Sequence, residues 1–311
     1  MDDTEFVRDH VSGSLSRMLL DLDQPDRRGD VMCHIGDKST ALDAASRAGH
    51  ADVAELLIKH GADVNAKDPY KSTALHAASG KGHADVAEVL IKHGADVNAK
   101  SQYNCTALHA ASGASHAKVA ELLIKHGADV NAKDGYKYTA LHAASRAGHA
   151  DVAELLTKHG ADVNAKDRSN STALHAASRQ GHSDVAELLI KHGADVNAKN
   201  RFEFTALDAA SGAGHADVAE LLIKHGADVN AQDRYESTAL DAASGEGHAD
   251  VAELLIKHGA DVNARMCVKN ESTALHAASG KGHADVAELL IKHGADVNAK
   301  DPCKSENAIM I

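Results

Sequence analysis

The triplet Thr-Ala-Leu recurs at Thr40, Thr73, Thr106, Thr139, Thr172, Thr205 and Thr238, each time 33 residues on, and returns at Thr273 after a step of 35. A fixed period of this length constrains the fold more than any other feature of the chain, because each copy must form the same small unit. The two extra residues of the last step fall in the connector from Arg265 to Ser272. Eight copies span 40–305. The segment 1–39 reads as a degenerate capping copy, with Phe6, Val7, Val11, Leu15, Met18, Leu19 and Leu22 at helical spacing. The segment 306–311 reads as a truncated stub.

One copy can be built from its residues. Thr40 is placed to cap a short Ala-rich helix over 41–48, and Gly49 supplies the left-handed residue that ends it. Asp52 followed three positions later by Glu55 predicts a capping box opening a second helix. Its apolar stripe is Val53, Ala54, Leu56 and Leu57, and Glu55 and Lys59 make an i,i+4 pair on the wet face. Gly61 stops this helix, and an extended connector runs to the next Thr. Two helices of about eight residues are too short to hold in water. Each buries its stripe only against neighbouring copies, so the chain must stack.

The run Thr-Ala-Leu-His-Ala-Ala, then Gly-His, then Ala-Glu-Leu-Leu-Ile-Lys-His-Gly-Ala-Asp-Val-Asn-Ala resembles the ankyrin repeat. The resemblance implies an all-α solenoid of helix-turn-helix units with β-hairpin fingers projecting at right angles. Fingers and first helices would then line a concave binding face. Three departures stand out. Ala follows the Thr where the family has Pro, and Asp43, Asp208 and Asp241 stand where it has His. Lys71, Asn104, Lys137, Asn170, Glu203 and Glu236 stand at the turn Gly of the finger, which leads to the expectation of a turn of different shape.

Composition excludes several classes of function. The formal net charge of −12 argues against nucleic acid as partner, although about two negatives recur in every copy as a property of the scaffold. No apolar stretch is long enough to span a membrane, and the acidic N-terminus lacks the pattern of a secretory signal. The four cysteines, Cys33, Cys105, Cys267 and Cys303, share no spacing and read as reduced thiols of an intracellular, cytoplasmic protein. The 23 histidines resolve almost wholly into three repeated positions, so no metal site is expected, and the first of these, after Thr-Ala-Leu, is expected to hydrogen-bond within and between copies. A catalytic triad is a unique constellation and no eightfold one is expected to act as such. There is no phosphate loop or dinucleotide fingerprint, so no cofactor is expected.

Seven of the eight aromatics, Tyr70, Tyr103, Tyr136, Tyr138, Phe202, Phe204 and Tyr235, fall in the connectors, where the fingertips should lie. Arg168, Arg201, Arg234 and Lys71 share those connectors. Aromatics with Arg are the usual anchors of interfaces. Packing of finger on finger is the competing role for the rings. The copies differ mainly at the fingers and at the end of the first helix, where Arg47, Lys81, Arg146 and Arg179 vary with Gly, Ala and Glu of other copies. The resulting expectation is a monomeric, non-enzymatic adaptor or scaffold that binds a partner protein at these residues. The alternative is the regulatory array of a larger enzyme or channel. Copy three, with Ser115 for the helix-ending Gly and Lys118 for the supposed capping Asp, is expected to exchange amide hydrogen fastest, around 110–160.

Overall fold

A computed structural model describes residues 39–266 and 272–299. The proposed capping copy 1–38, the stub after 299, and Cys33, Cys267 and Cys303 lie outside the described residues. Within them the chain is helical, and each copy supplies a first helix, such as Ala41–Ala48 or Ala140–Ala147, and a second, such as Ala51–Lys59 or Ala150–Lys158. The described residues divide into two compact units. One comprises 39–177 with 187–194, and the other 178–186 with 195–266 and 272–299.

The first helices begin as the Thr position suggests. Thr40 Oγ1 accepts the amide of Asp43 at 3.1 Å, and the Asp43 carboxylate accepts the Thr40 amide at 2.9 Å, a reciprocal capping box. The second helices correct the sequence reading. They start one residue before Asp52, after His50, which makes no side-chain cap bond, so Asp52 and Glu55 form no capping box. Asp at this place instead accepts the next amide, as Asp151 does from Val152 at 2.8 Å, and Lys118 cannot.

Within each unit the core is made of repeated small layers. Leu108, Ala111, Val119, Ala120 and Leu123 of copy three are fully buried, and the same five positions are buried in copies four and seven. The largest fully buried side chains are all leucines. With no ring inside, helices sit close, and alanine does most of the spacing. Gly80, near the end of a first helix, lies inside Ala74–Lys81 and is buried, with Ala110 at ordinary contact distance from where its Cβ would be.

Copies are joined by two repeated devices. Asn98 donates through Nδ2 to the Gly127 carbonyl at 2.9 Å, and its Oδ1 accepts the Asp129 amide at 2.8 Å. The same double bond recurs from Asn65, Asn197, Asn230 and Asn263 to the following copy. The histidine that precedes each second helix reaches backwards. His83 Nε2 donates to the Arg47 carbonyl at 3.0 Å, satisfying an orphan carbonyl at the end of the previous first helix. Its ring lies over Gly49, where a Cβ would come within 2.8 Å.

Copy three breaks that fit. Ser115, at φ 62°, carries the Cβ that Gly lacks elsewhere. The matching bond, from His149 Nε2 to the Gly113 carbonyl, lengthens to 3.3 Å and is exposed. Ser115→Gly should therefore raise stability by roughly 0.5–1 kcal/mol, since glycine bears a left-handed φ without steric cost. A urea melt of the variant checks this, and an unchanged or lower midpoint would show that the contact is already relaxed.

Candidate interaction surface at the fingers and first helices

The connector before each Thr closes as a tight turn. In the finger before copy two, the Lys71 amide donates to the Asp68 carbonyl and the Asp68 amide to the Ser72 carbonyl, both at 2.9 Å. The Asp68 side chain completes the turn, its Oδ1 accepting the amides of Tyr70 and Ser72 at 2.9 and 2.8 Å. Asp134, Asp167, Asn200 and Asp233 do the same in their fingers. Among the described residues these fingers form no ladder of strands, only an isolated bridge between Met266 and Ser272, so the hairpins implied by the resemblance are reduced to turns.

The six substitutions at the turn glycine do not alter its conformation. Lys71, Asn104, Lys137, Asn170, Glu203 and Glu236 all take positive φ, between 58° and 64°. A non-glycine residue there is strained. The Asx bonds of the preceding Asp or Asn offset that strain in every finger but one, where Ser101 stands instead.

Fingertips are tied to one another through backbone. Gln102 donates to the Tyr70 carbonyl at 2.8 Å, Gly135 to Tyr103 at 2.7 Å and Arg168 to Tyr136 at 2.9 Å. In the other unit Arg234 donates to Phe202 at 3.0 Å. Tyr70, Tyr103, Tyr136 and Phe202 thus have their main chains fixed, and the rings of Tyr103 and Tyr136 face outward. Tyr103 is 45% and Tyr136 44% exposed, while Tyr70, Phe202 and Tyr235 are half-buried. Tyr138 and Phe204 fall one turn position past the tip and are half-buried too. The Tyr138 ring packs on His142, with centroids 4.8 Å apart.

Cations accompany the rings. The Arg168 guanidinium lies 5.4 Å from the Tyr136 centroid, and Arg201 lies 4.5 Å from that of Phe202. Arg234 lies between Phe202 and Tyr235, at 5.9 and 5.7 Å. Lys71 and Lys81 are exposed, and Arg47, Arg146 and Arg179 are half-buried at the ends of their first helices.

Beneath this surface the Thr-Ala-Leu-His histidines join copies. His142 Nδ1 accepts the Thr139 amide at 3.3 Å, and Nε2 faces the Ser171 carbonyl at 3.2 Å. An amide can only donate and a carbonyl only accept, so the ring is the neutral tautomer with the proton on Nε2. His76 and His109 are held alike, by the carbonyls of Cys105 and Tyr138. Burial holds all three below the ordinary histidine range, their carbonyl bonds opposing it. Where Asp replaces His, the carboxylate takes over the cap. Thr205 donates its amide and hydroxyl to Asp208 Oδ2 at 2.7 and 2.8 Å. Burial pushes Asp208 up to about 7 and Asp241 to about 6, against the Thr bonds that favour the anion.

Sequence reasoning missed the finger Asp and the linking Asn. The signal for the Asn was present, since a polar residue repeated verbatim on an exposed edge has a partner at the same period. Among the described residues no group of three or more His, Cys, Asp or Glu could hold a metal ion. No described helix is long and apolar enough to cross a membrane. Cys105 forms no disulfide.

The stacked helix pairs, capped by Thr and tied by His and Asn, are those of one family, and the chain belongs to it: the family model of ankyrin repeats matches residues 15–101, 66–134, 98–167, 133–200, 166–233 and 209–301. Arrays of this family are in general protein-interaction modules. No curated protein matches the chain.

Proposed function

We propose that the chain is a non-catalytic adaptor or scaffold whose protein partner lies across the fingertips and the ends of the first helices. The observation that carries this is the pair of tyrosines 103 and 136. Their backbones are locked by finger-to-finger bonds, yet their rings stand nearly half exposed on a surface with few other large apolar groups. Such rings gain most by burial against a partner. The contrast between copies supports the reading, because the linking Asn and His are constant while the fingertips and helix ends vary. Arg47, Lys81, Arg146 and Arg179 would form the second row of contacts.

The test is the double variant Tyr103→Ala/Tyr136→Ala. Partner affinity should fall by roughly a hundredfold, as expected for two anchors at 1–2 kcal/mol each. The melting temperature should stay within about 2 °C, since neither ring is in the core. A collapse of stability would make the rings packing residues and remove the proposed docking face.

A further inference from the structure

We infer that the unit of residues 39–177 takes a partner through an acidic peptide segment lying extended across its fingers. This rests on the docking face proposed above and adds the chemistry of what lies on it.

The chain is acidic as a whole, yet the fingers of this unit are basic. Lys67, Lys100, Lys133 and Lys166 recur once per finger, all exposed, and Lys71 and Lys137 add exposed cations at two of the turns. None of the six pairs with a carboxylate among the described residues. The acids of the same fingers do not neutralise them outwardly. Asp68, Asp134 and Asp167 each turn an oxygen into their own loop to accept two backbone amides.

The other unit is built differently at the same places. Lys199 faces Glu203 at 3.6 Å and donates to the Gln232 carbonyl at 2.8 Å. Gln232 stands where a sixth lysine would, and Glu203 and Glu236 stand at the turns. At a first-helix end Lys281 pairs with Glu246 at 2.8 Å. The finger lysine of that unit is satisfied within the chain. In the 39–177 unit the finger lysines await a partner.

The spacing selects the form of the ligand. Packed helices lie about 8–10 Å apart, so lysines one copy apart are separated by about that distance. An extended peptide in the polyproline II conformation has three residues per turn and advances about 3.1 Å per residue, so carboxylates at every third position share one face and meet successive lysines. The residues between can reach Tyr103 and Tyr136. A short peptide fits better than a nucleic acid. A polyanion carrying a charge roughly every 1.7 Å would run on to the acidic second helices, where every copy but the third repeats the Asp52 and Glu55 pattern.

The test uses the full chain and a fluorescent peptide of four Glu-Gly-Leu triplets, with Gln-Gly-Leu triplets and an oligouridylate of equal length beside it, followed by anisotropy. The Glu peptide should bind at least tenfold tighter than the Gln peptide, roughly the effect of 1.4 kcal/mol. Raising salt from about 50 to about 300 mM should weaken it severalfold, because exposed charges are screened. Lys100→Glu/Lys133→Glu should lower affinity at least tenfold with an unchanged melting temperature, and Lys100→Gln/Lys133→Gln serves if the first pair unfolds. Lys224→Gln/Lys257→Gln, at the exposed ends of two second helices, should leave binding unchanged. Equal binding of the Gln peptide, tighter binding of the oligouridylate, or loss in the Lys224/Lys257 pair alone would overturn the inference. A native partner lost on Tyr103→Ala/Tyr136→Ala but indifferent to the lysine variants would overturn the acidic segment and leave the docking face standing. A peptide lost on the lysine variants but indifferent to the tyrosine variants would do the reverse.

Discussion

Lowering the pH from about 7.5 to 5 should loosen the 39–177 unit while tightening the copies that begin at Thr205 and Thr238. The cause is the residue after Thr-Ala-Leu, which is His76, His109 and His142 in the first unit and Asp208 and Asp241 in the second. Each buried His is neutral, its Nδ1 accepting the Thr amide, so a second proton there would cost that bond as well as the burial of a charge. Its folded pKa lies below the unfolded value of about 6.5. Stability from these groups is therefore present above pH 6.5 and is lost as pH falls, because the unfolded chain binds protons that the folded one refuses.

The aspartates run the other way. Desolvation raises Asp208 from 3.8 to about 7 and Asp241 from 3.8 to about 6. Between those limits the folded chain keeps a proton that the unfolded chain has released, so stability falls as pH rises. At ~1.4 kcal/mol per unit, each contributes on the order of 3 kcal/mol across that window. Asp233, Lys199 and Asp261 face the two carboxylates, and Asp233 is itself raised, by burial and by Glu203. Its Oδ2 is buried without a hydrogen-bond partner. Hydrogen exchange by segment at the two pH values, corrected for intrinsic rates, reads the effect. Protection should fall over 73–147 and rise over 205–257, and a shift of both in one direction would refute the assignment. Asp208→Asn/Asp241→Asn should flatten the response of the second region alone.

The second large effect is expected from Leu156→Ala, at about 3–4 kcal/mol. Leu156 is fully buried, in a core made of alanines, valines and leucines whose largest fully buried side chains are all leucines. An alanine-rich layer between stacked helices cannot collapse around the cavity without pulling both neighbours with it. The adjacent Leu155 is only half-buried, so Leu155→Ala should cost clearly less. Urea unfolding of the two variants compares them directly. Because copies contact only their neighbours, Leu156→Ala should also broaden the transition, as the array loses cooperativity at copy four. Equal losses for the two variants would mean that the leucine layer does not set inter-copy stability.

Much of the architecture was legible in the residues. Thr40 and Gly49 bracket the first helix because a hydroxyl cap and a left-handed glycine act over four or five residues, and both ends fell where they predict. The Asp52–Glu55 pattern misled for a local reason. The preceding His50 already closes the turn, its amide bonded to the Ala45 carbonyl and its own carbonyl to the Ala54 amide, so the helix starts one residue early and Asp52 bonds no capping amide. The docking residues were legible only as a row of aromatics in connectors. Which of them reach solvent was not, since Tyr103 and Tyr138 both stand in connectors and differ by where the turn places them.

The sequence by itself determined the period, the helix pairs, the family and the acidic bulk charge, because these follow from short-range caps and from a pattern repeated until it must stack. Tertiary structure decided what the repetition conceals. It decided that the finger carboxylates face their own backbone while the lysines beside them face outward, and that one position is a buried neutral histidine in some copies and a protonatable aspartate in others. These depend on burial and, for the histidines, on carbonyls 29 residues away in the neighbouring copy, which no local pattern specifies.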